Sequence, residues 1–117
     1  MKNALEKRPG SEARMHSDGL TEEELTIIEG RAAAATPAPW KSFAEGRDHT
    51  SGDDFIRTGG LDDACPDLYL RHDSPDRTGV VPAPIEDQDF IAHGRQDVPR
   101  LVAEVRRLRE LTAQRPA

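Results

Sequence analysis

Residues 40–58 read WKSFAEGRDHTSGDDFIRT, two short runs of β-favouring residues on either side of a segment in which glycines enclose a histidine, two hydroxyls and several carboxylates. Phe43 gives bulk to the run 40–45, and Phe55 and Ile56 to the run 54–58, so the segment reads as strand, turn, strand. The connection EGRDHTSGDD (45–54) then needs no further purpose. Asp48, Thr50 and Ser51 are the residue types that routinely satisfy loop amides. A second reading makes the loop a ligand site. Amides around Gly46 and Gly52, together with Arg47, His49, Thr50 and Ser51, form a set that would cradle a phosphate- or nucleotide-like anion. Against it, the spacing lacks the Gly-Lys-Thr ending of a P-loop, and a strand follows where a P-loop feeds a helix. The carboxylates of Glu45, Asp48, Asp53 and Asp54 would also repel an anion. A hydrolytic reading of Asp48, His49 and Ser51 is weaker, because sequence neighbours on an extended loop tend to point apart. No catalytic residue is assigned.

Working outward, the clearest local signal lies at 20–25. Thr21 followed by Glu24 is a capping box, with Leu20 and Leu25 placed as a hydrophobic staple. Leu25, Ile28, Ala32 and Ala35 recur at helical spacing, predicting a helix over 22–35 whose small residues call for close packing. Thr36-Pro37-Ala38-Pro39 ends it, because each proline lacks an amide donor and disfavours helical geometry in the residue before it. The chain arrives extended at Trp40, read as a core plug.

On the other side of the hairpin, residues 67–72 give a third strand candidate. Residues 73–84 (DSPDRTGVVPAP) read as a crossing loop in which Val80 and Val81 can add an edge strand. The last third is helical. A first helix carries Phe90 and Ile91, and Asp97-Val98-Pro99 reads as the start of a second, with aspartate as cap and proline in the first turn. Val98, Leu101, Val102, Val105 and Leu108 form one apolar stripe. Over 98–105 the stripe is expected to cover the domain's own sheet. Leu108 and Leu111, with Arg106 and Arg109 beside them, extend beyond it and are the candidate partner-binding residues. Positions 101, 105 and 108 are heptad-like and suit pairing with a second copy of the chain.

Composition sets the limits. In 117 residues, Leu, Ile, Val and Phe number 22, so a single domain with a thin core is expected. The segment 40–94 holds five basic and twelve acidic residues and the segment 95–117 six and three. A net charge of −6 argues against nucleic-acid wrapping, which requires concentrated Lys and Arg. Cys65 is the one cysteine, so neither an internal disulfide nor a four-thiolate zinc site is open to the chain, and a reducing cytoplasm is the expected location. MKNALEKRPG lacks the apolar core of a signal peptide, and no run approaches the ~18 residues that a membrane span needs. His49, Asp53, Asp54, His72 and Asp73 lack the spacings of recognised zinc or calcium motifs. No cofactor is expected.

Three blocks carry a resemblance: ATPAPW (35–40), EGRDHTSGDDFIRTG (45–59) and DQDFIAHGRQDVPRLVAEVRRLR (87–109). They resemble short actinobacterial and phage proteins similar to the ead-type accessory family of temperate phages. The resemblance implies a mobile-element or accessory context and no particular activity. Gly94 stands where that pattern has alanine, which argues against an unbroken helix through 93–96. The expectation is therefore a small α+β domain over 20–112 between a flexible leader (1–19) and a flexible tail (113–117). Its three- or four-stranded antiparallel sheet would be packed by an N-terminal helix and a C-terminal helix pair. Its expected role is non-enzymatic binding of a protein partner, with small-ligand binding or sequestration by the 46–52 loop as the alternative.

Overall fold

The computed structural model describes residues 19–61 and 64–114, so the reading of a leader lies outside the described residues except at Gly19. Of the expected tail, Ala113 and Gln114 belong to the end and cap of the last helix, while 115–117 lie outside. In chain order these form α1 (Glu22–Ala34), β1 (Lys41–Phe43), β2 (Phe55–Arg57), a 3-10 turn (Gly59–Leu61), β3 (Arg71–Asp73), β4 (Val80–Pro82) and α2 (Ile85–Ala113). The class is α+β, as expected.

α1 starts where its capping box dictates. Thr21 Oγ1 accepts from the Glu24 amide at 3.0 Å, and Glu24 Oε1 accepts from the Thr21 amide at 2.8 Å. Beyond the other end, the Thr36 carbonyl accepts from the Trp40 indole Nε1 at 3.0 Å and from Arg95 Nε at 2.9 Å. One carbonyl thus ties the proline corner to α2. Trp40 itself is half-buried at that corner.

The strands form two antiparallel pairs in place of one sheet. β1 pairs with β2 in the register Lys41↔Arg57, Ser42↔Ile56, Phe43↔Phe55, and β3 pairs with β4 in the register Arg71↔Pro82, His72↔Val81, Asp73↔Val80. The expected third strand at 67–72 touches the first pair through a single bridge, in which Ile56 and Leu68 exchange amide bonds of 2.8 and 2.9 Å. The chain then turns back on itself at 74–79. There the Asp76 carboxylate accepts from Ser74 Oγ (2.7 Å), Thr78 Oγ1 (2.7 Å) and the Thr78 amide (3.1 Å), bonds that hold its pKa down at about 2. Arg77 takes a left-handed φ of 62° in this turn. Closing so short a loop costs little entropy, and β3 and β4 have no buried face to dock onto the first pair. The expected crossing loop is therefore a hairpin.

The expected C-terminal helix pair is one helix of 29 residues, unbroken through Gly94 and with Pro99 inside it. Pro99 offers no amide to the carbonyl four residues back, but α2 is held on both sides of it. Towards its start, Gln88 and Ala92 are buried. Gln88 Nε2 donates to Ser42 Oγ (2.9 Å), the Phe43 carbonyl (3.2 Å) and the Phe55 carbonyl (3.1 Å). Gln96 accepts from the Trp40 amide at 2.7 Å and donates to the Trp40 carbonyl at 3.2 Å, much as a neighbouring strand would. Past Pro99, Val102 is buried, and Arg106 and Arg109 bond to α1.

Gln88, Ala92 and Gln96 are spaced at i, i+4 and i+8 and so share one face. That spacing corrects the expected orientation of α2. Leu101 and Leu108 lie roughly on the opposite side of a helix with 3.6 residues per turn, so most of the apolar stripe does not cover the sheet. The core is as thin as composition requires: among the described residues the buried apolar set is Leu25, Ala44, Ile56, Ala92 and Val102.

Two substitutions test this account in urea unfolding. Gln88→Leu keeps the bulk but removes the donor to the buried Ser42 hydroxyl and the second donor to the Phe43 and Phe55 carbonyls, and a loss of about 1–3 kcal/mol is expected. Thr21→Ala removes the cap acceptor and should cost ~1 kcal/mol.

Candidate functional site

The 45–54 loop turns its amides inward. The Gly46 amide donates to the His49 carbonyl (2.7 Å), and those of Arg47 and Asp48 donate to the Ala44 carbonyl (3.1 and 2.8 Å). Four further amides meet side chains: Ala44 reaches Asp48 Oδ2 (2.8 Å), Glu45 reaches Asp54 Oδ1 (2.7 Å), Ser51 reaches His49 Nδ1 (3.0 Å) and Gly52 reaches Glu45 Oε1 (2.6 Å). An anion cradled here would have to displace the loop's own carboxylates. Gly46 (φ 84°) and Gly52 (φ 111°) occupy backbone conformations that side chains disfavour, which accounts for glycine at both positions.

Of the proposed ligand residues, Arg47 is the most engaged. Its guanidinium forms a two-bond pair with Asp89 of α2 (2.9 and 3.0 Å), and its Nε donates to Asp48 Oδ2 at 2.9 Å. The carboxylates beside it respond. Asp89 is held at about 2, chiefly by Arg47 and then by the Ser42 hydroxyl. Asp48 is lowered chiefly by the Ala44 amide and then by Arg47, and Arg47 is raised by Asp89 and Asp48. Thr50 is exposed.

His49 and Ser51 do meet, contrary to the expectation that loop neighbours point apart: Ser51 Oγ lies 2.7 Å from His49 Nδ1. A carboxylate oxygen, Glu45 Oε1, stands 3.6 Å from that same nitrogen, so it does not hold the ring from its far side. Because Nδ1 accepts from the Ser51 amide, the neutral ring carries its proton on Nε2, an atom that is buried without a hydrogen-bond partner. Its ring packs against Phe43 and Phe55, which stack on each other, with centroids 6.4 and 5.2 Å away, and Nε2 meets no carboxylate of the kind that orients the base of a triad. Among the described residues no three His, Cys, Asp or Glu side chains converge as metal ligands.

Beside the loop lies a cleft of about 290 Å³, lined by Trp40, Lys41, Ser42, Arg47, Asp48, Asp89 and His93. Its α2 residues escaped the sequence reading because they are some forty positions from the loop. The available signal was their proximity to Gln88 and Ala92 on the helix face that meets the hairpin.

The other candidate surface is the outward face of α2. Phe90 is 79% exposed, Leu101 62%, Leu108 49%, Leu111 48% and Val98 39%. Two shallow apolar grooves flank this face, one of about 280 Å³ bordered by Ile28, Ala32, Gly94 and Val98, the other of about 410 Å³ bordered by Val105, Leu108 and Thr112. Arg106 and Arg109, expected at a partner surface, turn to α1: Arg106 pairs with Glu22 (3.0 Å) and Glu29 (3.2 Å), and Arg109 pairs with Glu22 (3.1 Å) and donates to the Leu20 carbonyl. No described helix is long and apolar enough to cross a membrane. No family model, curated protein or solved structure matches this chain.

The Arg47–Asp89 pair predicts a pH signature. A carboxyl held below its ordinary 3.8 contributes stability that is complete above that value and is lost as pH falls through about 2. Asp89→Asn should therefore lower the thermal midpoint at pH 7. The gap between wild type and variant should close as the pH is taken down from 3.8 to about 2.

Proposed function

We propose that this protein is a non-enzymatic accessory protein that acts in the cytoplasm by binding another protein through the outward face of α2. The observation that carries this reading is the number of large apolar side chains left exposed along the outward side of the helix, from Phe90 to Leu111. In a chain with so few bulky apolar residues, placing this many outside the core works against stability, and open apolar patches of this kind mark interaction surfaces. A helix face of this spacing suits a helix-in-groove or helix-to-helix contact. The mobile-element or phage setting implied by the blocks at 35–40, 45–59 and 87–109 fits a small binding protein.

The 45–54 loop supports this reading by its internal bonding. Many of its amides and its Arg47 guanidinium bond within the loop or to Asp89, which fits a connector that fastens the hairpin to α2.

Site-specific photo-crosslinking in cells tests the proposal. A photoreactive residue in place of Leu101 should trap a discrete protein adduct, and one in place of Glu86, exposed near the start of α2, should not. Absence of any discrete adduct at Leu101 would overturn the reading.

A further inference from the structure

We infer that the protein bound by the outward face of α2 is a second copy of the same chain, aligned parallel to the first. This inference rests on the reading of that face as an interaction surface. Along α2 the outward residues follow one heptad register. Ile91, Val98 and Val105 occupy the a positions, and Gly94, Leu101 and Leu108 the d positions. β-branched residues at a with leucine at d are the combination that favours two-stranded parallel pairing. The register breaks only at Gly94, where the neighbouring groove against Ile28 and Ala32 of α1 leaves room for a side chain from the other copy.

Charge on the two flanks selects both the partner and its direction. The g flank carries Asp97 and Glu104 between Phe90 and Leu111, and the e flank carries Arg95 and Arg109 on either side of the buried Val102. In a parallel pair each g residue faces the e residue five positions on in the other chain, so Glu104 meets Arg109 of the second copy. An antiparallel pair would set acidic flank against acidic flank and basic against basic. The side chains of Glu104 and Arg109 retain 49% and 40% of their exposure, so both can reach across while Arg107 and Glu22 hold them in place. α1 lies along the e flank, bound through Arg106 and Arg109 to Glu22 and Glu29, so in the pair it would border the g flank of the second copy and leave the line of Leu101 and Leu108 open.

Sedimentation equilibrium of the full chain tests the inference. Wild type should sediment at twice the 12.9 kDa chain mass. Leu101→Lys combined with Leu108→Lys should give a monomer of unchanged helical circular dichroism, and Glu104→Arg should weaken the dimer by about tenfold or more. Direction is read in a Cys65→Ser background, where Val105→Cys, an a position facing itself in a parallel pair, should form an intermolecular disulfide under mild oxidation. A folded wild-type monomer at the highest soluble concentration would overturn the inference. So would a dimer in which Val105→Cys crosslinks only with a Leu101→Cys copy, the mark of antiparallel pairing. The photo-adduct at Leu101 separates the two claims. An adduct of twice the chain mass supports both, an adduct with a different protein retains the binding function and removes self-pairing, and no adduct removes both.

Discussion

The β1–β2 hairpin is held to α2 by two side-chain amides, and the positions of the loop, the cleft and the outward helix face follow from them. Gln88 donates to the carbonyls of both strands at the Phe43–Phe55 end, and Gln96 makes a two-way bond with the backbone of Trp40 just before the other end. Between them Ala92 is fully buried, small enough to let the hairpin approach the helix. A buried amide without partners is costly and a satisfied one rigidifies its surroundings. These two glutamines therefore fix the rotation of α2 more tightly than apolar contact alone would.

That rotation gives the molecule an unusual division of surfaces. The face of α2 that meets the hairpin carries glutamines and one alanine, and the face turned away carries Leu101, Leu108 and Phe90. Where α2 passes α1, arginine–glutamate pairs join the helices beside the buried Val102. Exposed pairs of this kind contribute little each, so the α1–α2 contact leans on Leu25 and Val102 for its apolar burial.

Local structure was largely legible. The capping box at Thr21 and Glu24, the end of α1 at the prolines and the hairpin around 45–54 all arise from side chains acting within a few residues, and the structure places each within one or two positions of its reading. The Asp76-centred turn was also written locally, in Ser74, Asp76 and Thr78, but three nearby prolines masked it. The loop's chemistry was legible as residue types and not as partners. Arg47 has the composition of an anion ligand, and only Asp89, 42 positions away, makes it an internal ion pair.

Hydrophobic periodicity located α2 and misjudged its orientation, because the rule that apolar faces turn inward assumes an apolar core to receive them. Here the receiving surface is backbone: the carbonyls of Phe43 and Phe55 and the peptide groups of Trp40. By itself the sequence determined the helices, the turns and the small size of the core, since capping, proline geometry and composition act over short range. Only the tertiary structure decided that Pro99 lies inside one helix, that four strands divide into two pairs, and that the leucines face outward. The outward turn of the leucines depends on hydrogen bonds between residues 33 to 56 positions apart, a range over which residue type carries no record of its partner.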